Sequence, residues 1–276
     1  MTIKQHFLLS FAKKGVGNVD PQNAVVLREK LEDILIVTIN RPEAGNSVNG
    51  EVAALIDEAV TYGEQDPDIK AIILTGAGDK IFCGGFDLKF LATHGKEAAK
   101  AVSRGDRGFA GITQRKCPKV LICAVNGKCM GGGTEMALAC DFIIAAEHAT
   151  LGLPEVKLGI FGAAGGPIRL ARQLPRAIAL EIALTGEPIS AQRAYEVGMV
   201  SRVVPKEKLL EEAIAFARRI TCNSAWSISV TKQLINASLD LSLEQAFSLS
   251  AIFSELIENN PDSLAGAKAF ADKSKK

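Results

Sequence analysis

Two glutamates beside glycine-rich turns are the residues of this chain best suited to chemistry. Glu135 follows three consecutive glycines in CMGGGTEMALACD (129–141), and Glu155 lies in LGLPEVKLG (151–159), shortly before GAAGG (162–166). Both have apolar neighbours, and an ionised carboxylate in apolar surroundings is costly unless it is paired or used. Either glutamate alone fits a solvated face or a salt-bridged core acid. Two of them, each beside a glycine turn, favour a functional site.

The glycines offer a physical role for the backbone itself. If a helix begins near Gly132 or Gly133, its first N–H groups lack partners, and the missing side chains let a ligand approach them closely. The N-terminus of a helix also carries partial positive charge, which suits a developing oxyanion. The amide of Phe86, in the turn GGFDL, can provide a second donor. Two carboxylates facing two amides indicate proton transfer next to a carbonyl, which is enolate chemistry.

Other motifs for catalysis and metal binding are missing from the sequence. It has no GxxxxGK[ST] phosphate loop and no GxSxG serine elbow, and GAGDKI has Ile81 where a dinucleotide fingerprint needs its third glycine. The three histidines, His6, His94 and His148, show no ligand spacing. We therefore expect no metal site.

Composition narrows the class of protein. The 276 residues are 47% hydrophobic, which is enough for one large core, and 32 basic residues balance 31 acidic ones. Such balance argues against a dedicated nucleic-acid or membrane-surface protein, and no apolar run approaches the roughly 20 residues of a membrane span. The cysteines form no CxxC pair and are expected to be reduced, buried thiols; they are residues 83, 117, 123, 129, 140 and 222.

Strand and helix patterns alternate along the first three quarters of the chain. Strands are predicted at Val25–Glu29 and Ile34–Ile39, followed by buried strands in AIILTGAGDK, VLICAVNG and DFIIAAEHATLG. Helical patterns lie between them, including Glu135–Ala139 and Ile168–Leu174. This alternation predicts an α/β core with mainly parallel pairing. After about residue 205 the pattern changes to three successive amphipathic helices, the last with Ser242 as N-cap and Asn259-Asn260-Pro261 at its end.

The first 19 residues carry Lys4, Lys13 and Lys14 and no acidic residue. They have no arginine and little serine, and they lack the apolar stretch of a secretory signal. An extra N-terminal arm is therefore favoured over a transit peptide.

In their order and spacing, the glycine-rich segments resemble those of the crotonase family, also called the enoyl-CoA hydratase/isomerase family. The strings that carry the resemblance are INRPEAGNSVNG, LTGAGDKIFCGGFDLK, AVNGKCMGGGTEMALACD, LPEVKLGI, GAAGGPIRL and LTGEPISAQRAYEVGMVSRVVP. They span residues 25–205, and the tail GAKAFADKSKK fits the family's C-terminal helix. Any one string would be a weak signal, but together they are highly specific.

The resemblance implies a fold and an activity. The fold would be an α/β spiral of repeated ββα units over residues 23–204, after an N-terminal arm at 1–22. Residues 205–276 would form a helical region that builds homotrimers, or dimers of trimers. Family substrates are acyl-CoA thioesters, whose thioester oxygen would meet the amides of Phe86 and Gly132. Glu135 would activate water at the β-carbon, and Glu155 would exchange the proton at the α-carbon.

The same resemblance implies contacts to coenzyme A, which would be part of the substrate, so no tightly bound cofactor is expected. The positions that match the family's contacts are Ala44, Gly45, Phe86, Asp87, Leu88, Lys89, Gly132, Phe270 and Lys273, the last two reaching coenzyme A on a neighbouring subunit. For Asp87 a turn-capping role is the favoured alternative, and for Lys89 the alternative is an ordinary surface lysine. The region 91–118 is expected to form the wall that selects the acyl group.

Departures from the family pattern bear on the substrate. The common AGAD turn is GGFD here, Gln-Pro-Glu is Leu-Pro-Glu, and the loop PGAGG is GAAGG. These changes, with RGFAGIT (107–113), are similar to the crotonobetainyl-CoA (carnitine) hydratase branch. The leading prediction is an enoyl-CoA hydratase or dehydratase that acts in the cytoplasm, or in the mitochondrial matrix of a eukaryote. The alternatives are a Δ3,Δ2-enoyl-CoA isomerase and a binding protein of this fold that binds RNA; neither membrane nor nucleic-acid partners are expected.

Overall fold

Ten β-strands form two sheets in the computed structural model, which describes residues 24–258 and 260–273 except for the side chains at positions 267, 269 and 273. In chain order the strands are β1 (Val26–Leu31), β2 (Ile34–Ile39), β3 (Ala71–Gly76), β4 (Ile81–Cys83), β5 (Val120–Val125), β6 (Lys128–Met130), β7 (Phe142–Ala146), β8 (Thr150–Gly152), β9 (Ile189–Ser190) and β10 (Arg202–Val204). One sheet has the order β1-β2-β3-β5-β7-β10, and the other has the order β4-β6-β8-β9. The N-terminal arm expected at 1–22 lies outside the described residues.

The six-stranded sheet is parallel except at its first strand. β1 pairs antiparallel with β2, and β2, β3, β5, β7 and β10 are parallel to one another. Every residue of β3 and β5 is buried, as expected for strands covered on both faces. The prediction of an α/β core with mainly parallel pairing is confirmed, although the first strand is Val26–Leu31 rather than Val25–Glu29.

The four-stranded sheet brings three glycine-rich segments to one edge. β4, β6 and β8 each follow a strand of the larger sheet after a short turn, and they pair in parallel. Asn126 stabilises one of these turns: its Oδ1 accepts the Gly76 N–H at 3.1 Å, and its Nδ2 donates to the Gly78 carbonyl at 2.9 Å. Because parallel strands end at the same edge, the turns after β4, β6 and β8 lie side by side.

Eleven helices surround and follow the sheets in the described part of the chain. They are α1 (Gly50–Gln65), α2 (Leu88–His94), α3 (Lys96–Val102), α4 (Gly132–Ala139), α5 (Gly166–Gln173), α6 (Arg176–Thr185), α7 (Ala191–Glu196), α8 (Leu209–Thr221), α9 (Ala225–Ser238), α10 (Leu243–Ile257) and α11 (Pro261–Lys273). None of them is long and apolar enough to cross a lipid bilayer, as far as the described residues show. α4 and α5 start earlier than the predicted Glu135 and Ile168, because their first turns are made of glycine and proline, which carry little helical signal.

The three helices predicted after residue 205 are α8, α9 and α10. Ser242 is the N-cap of α10, as predicted: its hydroxyl accepts the Gln245 N–H at 3.2 Å, and the Gln245 side chain accepts the Ser242 N–H at 3.0 Å. The capping-box partner is therefore Gln245, three residues after the cap. α10 ends at Ile257, and Pro261 begins a fourth helix, α11, which agrees with the preference for proline in a first turn.

A buried charge cluster joins α1 to the segment that follows α3. Asp57 of α1 is 4% exposed and accepts a hydrogen bond from Arg115 Nη1 at 2.8 Å, while Arg104 and Arg107 approach its other oxygen at 3.4 and 3.1 Å. Arg115 also binds both carboxylate oxygens of Glu64, at 2.9 Å each. We call Asp57, Glu64, Arg104, Arg107 and Arg115 the Asp57 cluster. It fixes the path of residues 104–115 against α1.

Removing Arg115 from the Asp57 cluster is expected to destabilise the fold. Arg115→Met leaves the buried Asp57 carboxylate with only its two partly exposed arginines, which should cost about 3 kcal/mol. The measurement is the urea midpoint at a fixed protein concentration, with Lys100→Met, which breaks the exposed Lys100–Glu97 pair, as control. An unchanged midpoint in Arg115→Met would show that the cluster does not hold this segment.

Candidate active site

Each of the three glycines at 131–133 lies close to a different group, which a side chain at that position would crowd. Gly131 has φ 54° and ends β6, and its N–H donates to the Gly152 carbonyl at 2.9 Å. A methyl group on Gly131 would lie 3.2 Å from Glu155 Oε1, and one on Gly132 would lie 2.8 Å from Phe109 Cε1. A side chain on Gly133 would collide with the Cys83 carbonyl. Glycine is therefore favoured at all three positions, because a side chain would crowd the Glu155 carboxylate, the Phe109 ring or the strand that contains Cys83.

Two backbone amides in adjacent turns have no partner among the described residues. Gly132 is the first residue of α4, so its N–H has no intrahelical acceptor, and the N–H of Phe86 likewise donates to no described group. Gly85, with φ 88°, brings the two turns together, since a methyl group on it would lie 2.8 Å from the Gly132 nitrogen. The backbone around Phe86 is fixed on both sides by Val48, whose N–H donates to the Gly85 carbonyl and whose carbonyl accepts the Asp87 N–H.

Glu135 lies on the first turn of α4 with its carboxyl buried, 3% exposed. Oε1 accepts the N–H of Gly166, the first residue of α5, at 2.9 Å. Burial is the main cause that raises the pKa of Glu135 to about 7; the nearby Glu155 charge acts in the same direction, and the Gly166 and Ala164 amides and the Arg169 charge oppose it. Glu135 is thus held near the midpoint of its titration at neutral pH, which suits a general base.

Glu155 approaches the same glycine turn from the other side. It belongs to a short 3₁₀ segment, Pro154–Leu158, directly after β8, and its Oε2 is buried without a hydrogen-bond partner among the described residues. Burial raises the pKa of Glu155, opposed by a hydrogen bond from its own backbone N–H. A carboxyl group with a raised pKa and an oxygen that lacks a hydrogen-bond partner is suited to exchange a proton with an incoming group.

The residues predicted to contact coenzyme A fall into three groups. Ala44 and Gly45 end a 3₁₀ turn beside the Phe86 turn, where the Gly84 N–H donates to the Gly45 carbonyl at 2.9 Å. Leu88 and Lys89 are exposed in the first turn of α2. Phe270 is 78% exposed on α11, far along the chain from these turns, and the side chain of Lys273 lies outside the described residues.

Asp87 has a structural role that accounts for its position. Its Oδ1 accepts the N–H groups of Lys89 and Phe90 at 3.1 Å each, so it caps α2, and its Oδ2 pairs with Arg41 at 3.2 Å. This is the capping alternative weighed above. Asp87 positions the Phe86 turn whether or not it also contacts a ligand.

Two residues beside the glycine turn were not singled out from the sequence. The ring of Phe109 lies against Gly132 and makes an edge contact with Phe86, with 6.4 Å between ring centroids. Arg169, on α5, donates to the Thr113 carbonyl and carries the positive charge nearest to Glu135. The string RGFAGIT (107–113), with glycines on both sides of Phe109, was the available signal in the sequence, and both glycines, Gly108 and Gly111, have positive φ in the structure.

Clusters of metal-ligating side chains are not found in the described part of the chain, where no three His, Cys, Asp or Glu residues converge. The cysteines are free thiols, of which five are buried and Cys222 is exposed.

Comparison with known proteins identifies the family. Residues 29–276 match the family model described as enoyl-CoA hydratase/isomerase, and the chain belongs to this family. A carnitinyl-CoA dehydratase from Salmonella arizonae is 38% identical over 245 residues, covering 87% of this chain and 92% of the relative. The predicted crotonase-like fold is confirmed by solved structures of enoyl-CoA hydratases that superpose on most of this chain.

Two solved structures illustrate the likeness. An enoyl-CoA hydratase from Mycobacterium marinum is 41% identical with a TM-score of 0.85, covering 92% of this chain and 97% of that one. A carnitinyl-CoA hydratase from Mycobacterium avium is 38% identical with a TM-score of 0.73, covering 90% and 96%.

The burial of Glu135 predicts a pH-dependent gain in stability for Glu135→Gln. The carboxyl titrates at about 7 in the folded state against 4.5 ordinarily, so the wild type loses stability relative to Glu135→Gln as pH rises from 4.5 through 7. The Gln oxygen still accepts the Gly166 N–H. We expect Glu135→Gln to gain up to about 3 kcal/mol at pH 8 and nothing at pH 4.

Urea unfolding of both proteins at pH 4 and pH 8, at equal protein concentration, measures this difference. Glu147→Gln, at an exposed position, is the control and should show no pH-dependent gain. Equal midpoints for wild type and Glu135→Gln at both pH values would mean that the carboxyl is not held in the protonated form by burial.

Proposed function

We propose that this protein is a hydro-lyase that reversibly adds water to a 2-enoyl-CoA thioester. The observation that carries the proposal is the meeting of two carboxyls, the buried Glu135 and the partly buried Glu155, with the amides of Gly132 and Phe86, unpaired among the described residues, around one glycine turn. Membership of the enoyl-CoA hydratase/isomerase family, and relatives named as enoyl-CoA hydratases and carnitinyl-CoA dehydratases, support the same reaction class.

In the proposed mechanism, the amides of Gly132 and Phe86 donate to the thioester oxygen. This stabilises the enolate-like state formed when a nucleophile adds to the β-carbon, because the donors are already fixed by β6, α4 and Val48. Each such donor is worth about 10²–10³-fold in rate. The glycines let the thioester reach the amide nitrogen without meeting a side chain.

The two carboxyls would divide the proton transfers. Glu135, ionised, takes a proton from the attacking water as the water oxygen bonds to the β-carbon and the C=C electron pair moves toward the thioester oxygen. Glu155, protonated, then gives its proton to the α-carbon. This division is the one that the resemblance to the family implies, and burial raises the pKa of both carboxyls, so that each can exchange a proton near neutral pH.

The site also supports hydration over isomerisation. A Δ3,Δ2-enoyl-CoA isomerase needs one carboxyl to move a proton between carbons, and Glu155 would suffice for that. Keeping a second carboxyl buried beside it is costly unless it also takes part. A short acyl chain, or one with a substituent as in crotonobetainyl-CoA, is the proposed substrate, since the Phe86–Phe109 contact narrows the space beside the amides.

Substitution of Glu135 tests the division of roles. Glu135→Gln should lower hydration by about 10²–10⁴-fold, because the water loses its base. Exchange of the α-proton of a saturated acyl-CoA, followed by deuterium incorporation, should survive better because it needs only Glu155. Glu147→Gln is the control, with no loss in either assay.

Hydration is followed as the loss of enoyl-thioester absorbance across a panel of acyl-CoAs that includes crotonyl-CoA and crotonobetainyl-CoA. Full-rate hydration by Glu135→Gln would refute the role of Glu135. Flat traces from the wild type on every substrate would refute the hydro-lyase proposal, and double-bond migration in their place would favour the isomerase.

We further propose that the C-terminal helices build a homotrimer. No residue of α9 or α10 is fully buried, and both present large apolar side chains to the outside: Ile235, Leu239, Leu243, Phe247, Ile252 and Leu256. An exposed apolar surface of this kind is typical of an interface. A second copy of the chain is the occupant that the family supports.

A charge placed in this surface is expected to separate the subunits. Phe247 is 67% exposed, so Phe247→Glu costs the isolated chain little but would place a carboxylate in an apolar interface. Sedimentation equilibrium should show a trimer for the wild type and for Gln192→Glu, a control on α7, and a monomer for Phe247→Glu. A monomeric wild type, or a trimeric Phe247→Glu, would contradict the proposed interface.

A further inference from the structure

Arg169 occupies a position that the physics of helices disfavours. It lies in the first turn of α5, where its N–H donates to the Gly165 carbonyl at 3.0 Å. The N-terminus of a helix carries partial positive charge, so a cation there is repelled. Arg169 is also partly buried, and burial lowers its pKa. A residue placed against both effects needs a compensating partner.

No carboxylate of the described residues lies within ion-pair distance of Arg169. Its guanidinium instead donates to the Thr113 backbone carbonyl. The acid beside it is Glu135: a methyl group on Gly165 would meet Arg169 Nη1, and one on the next residue, Gly166, would lie 3.1 Å from Glu135 Oε1. The Glu135 charge accordingly favours the charged form of Arg169. Arg169 therefore lies between the buried carboxyl of α4 and the segment 104–115 that the Asp57 cluster holds.

Thr113 connects Arg169 to Phe109, whose ring covers Gly132 and which we call the Phe109 wall. Thr113 is fully buried, and its hydroxyl accepts the Phe109 N–H at 2.9 Å. The Phe109 ring in turn lies against Gly132, whose amide is unpaired. A single side chain thus contacts the backbone that fixes Phe109 and also acts electrostatically on Glu135.

The charges facing Glu135 come from two elements. Glu155, on the 3₁₀ segment, opposes ionisation of Glu135, and Arg169, on α5, favours it. The amides of Gly166 and Ala164 act in the same direction as Arg169. Among the described residues Arg169 is the one full positive charge that acts on Glu135, so its removal leaves two carboxyls opposed only by backbone dipoles.

We propose that Arg169 is a positioning residue that fastens Phe109 over Gly132 through Thr113 and places a positive charge beside the Glu135 carboxyl. The proposal rests on the proposed function for its catalytic consequence, but the ionisation of Glu135 is measurable without turnover. Arg169 touches neither the substrate nor the reacting atoms in this account. It acts through Glu135 and through Thr113.

The direct test is the titration of the Glu135 carboxyl by infrared spectroscopy. For each protein, the spectrum of the same protein carrying Glu135→Gln is subtracted, so that the difference shows the Glu135 carboxyl alone. In Arg169→Met the titration should move upward by about one pH unit from its position near 7. Arg169→Lys keeps the charge and should stay close to the wild type. The control is Arg172→Met, on the same helix but partly exposed and paired with Asp240, which should leave the titration unchanged.

The kinetic test separates positioning from simple stability. Arg169→Met should lower kcat/KM by about tenfold at pH 6 and approach the wild type at pH 9, where Glu135 is ionised in both proteins. A merely structural loss would be equal at all pH values. Arg169→Lys keeps the charge but replaces the planar guanidinium that donates to the Thr113 carbonyl, so it should keep the pH profile but change the relative KM of short and long acyl chains.

Phe109→Leu isolates the wall, and it should change the acyl preference without moving the Glu135 titration. An unmoved titration in a folded Arg169→Met would overturn the proposal even if hydration is normal. If Arg169→Met does not fold, Arg169→Gln takes its place in the same titration. Should the wild type hydrate no enoyl-CoA, the titration still decides the role of Arg169, so the two proposals fail separately.

Discussion

The burial of the Glu135 carboxyl is the constraint on which the site depends. A carboxylate that is almost fully removed from water is unstable unless dipoles or charges replace the water. Here the N-terminus of α5 supplies the Gly166 N–H, and Arg169 supplies a charge at longer range. Because these groups stabilise the carboxylate charge less than water would, the pKa of Glu135 remains raised to about 7. The compensation is therefore partial, and a partly compensated acid is able to exchange protons at neutral pH.

The larger fold brings the groups of the site to one edge. β4, β6 and β8 are short parallel strands, and the turns at their ends carry the Phe86 amide, the Gly132 amide and Glu155. Their spacing is set by strand pairing, about 4.8 Å between neighbours, rather than by side-chain packing. Backbone groups are suited to this task because their positions are fixed by the sheet, and glycine leaves them accessible.

Charge holds residues 104–115 in two ways. The Asp57 cluster ties Arg104, Arg107 and Arg115 to α1 with direct ion pairs between buried and half-buried groups. Arg169 holds the same segment from α5 through the Thr113 carbonyl. Phe109, between Arg107 and Thr113 in the chain, lies against Gly132. Polar contacts on both sides of Phe109 therefore fix the position of its apolar ring beside the glycine turn.

Periodicity and glycine turns are local signals, so the sequence predicts the α/β class, the mainly parallel core, the C-terminal helices and the segments that meet at the candidate site. The same signals are enough to select Glu135, Glu155, Phe86 and Gly132 as candidate residues. The roles of Phe109 and Arg169 were decided by tertiary structure alone, since each meets the site from a segment distant in the chain. Asp87 is a case in which the sequence allows two roles. Its position in the motif fits a ligand contact, whereas its hydrogen bonds in the structure are those of a helix cap. A local pattern specifies where a turn lies, but the burial and the charge of a group depend on what the rest of the chain packs against it.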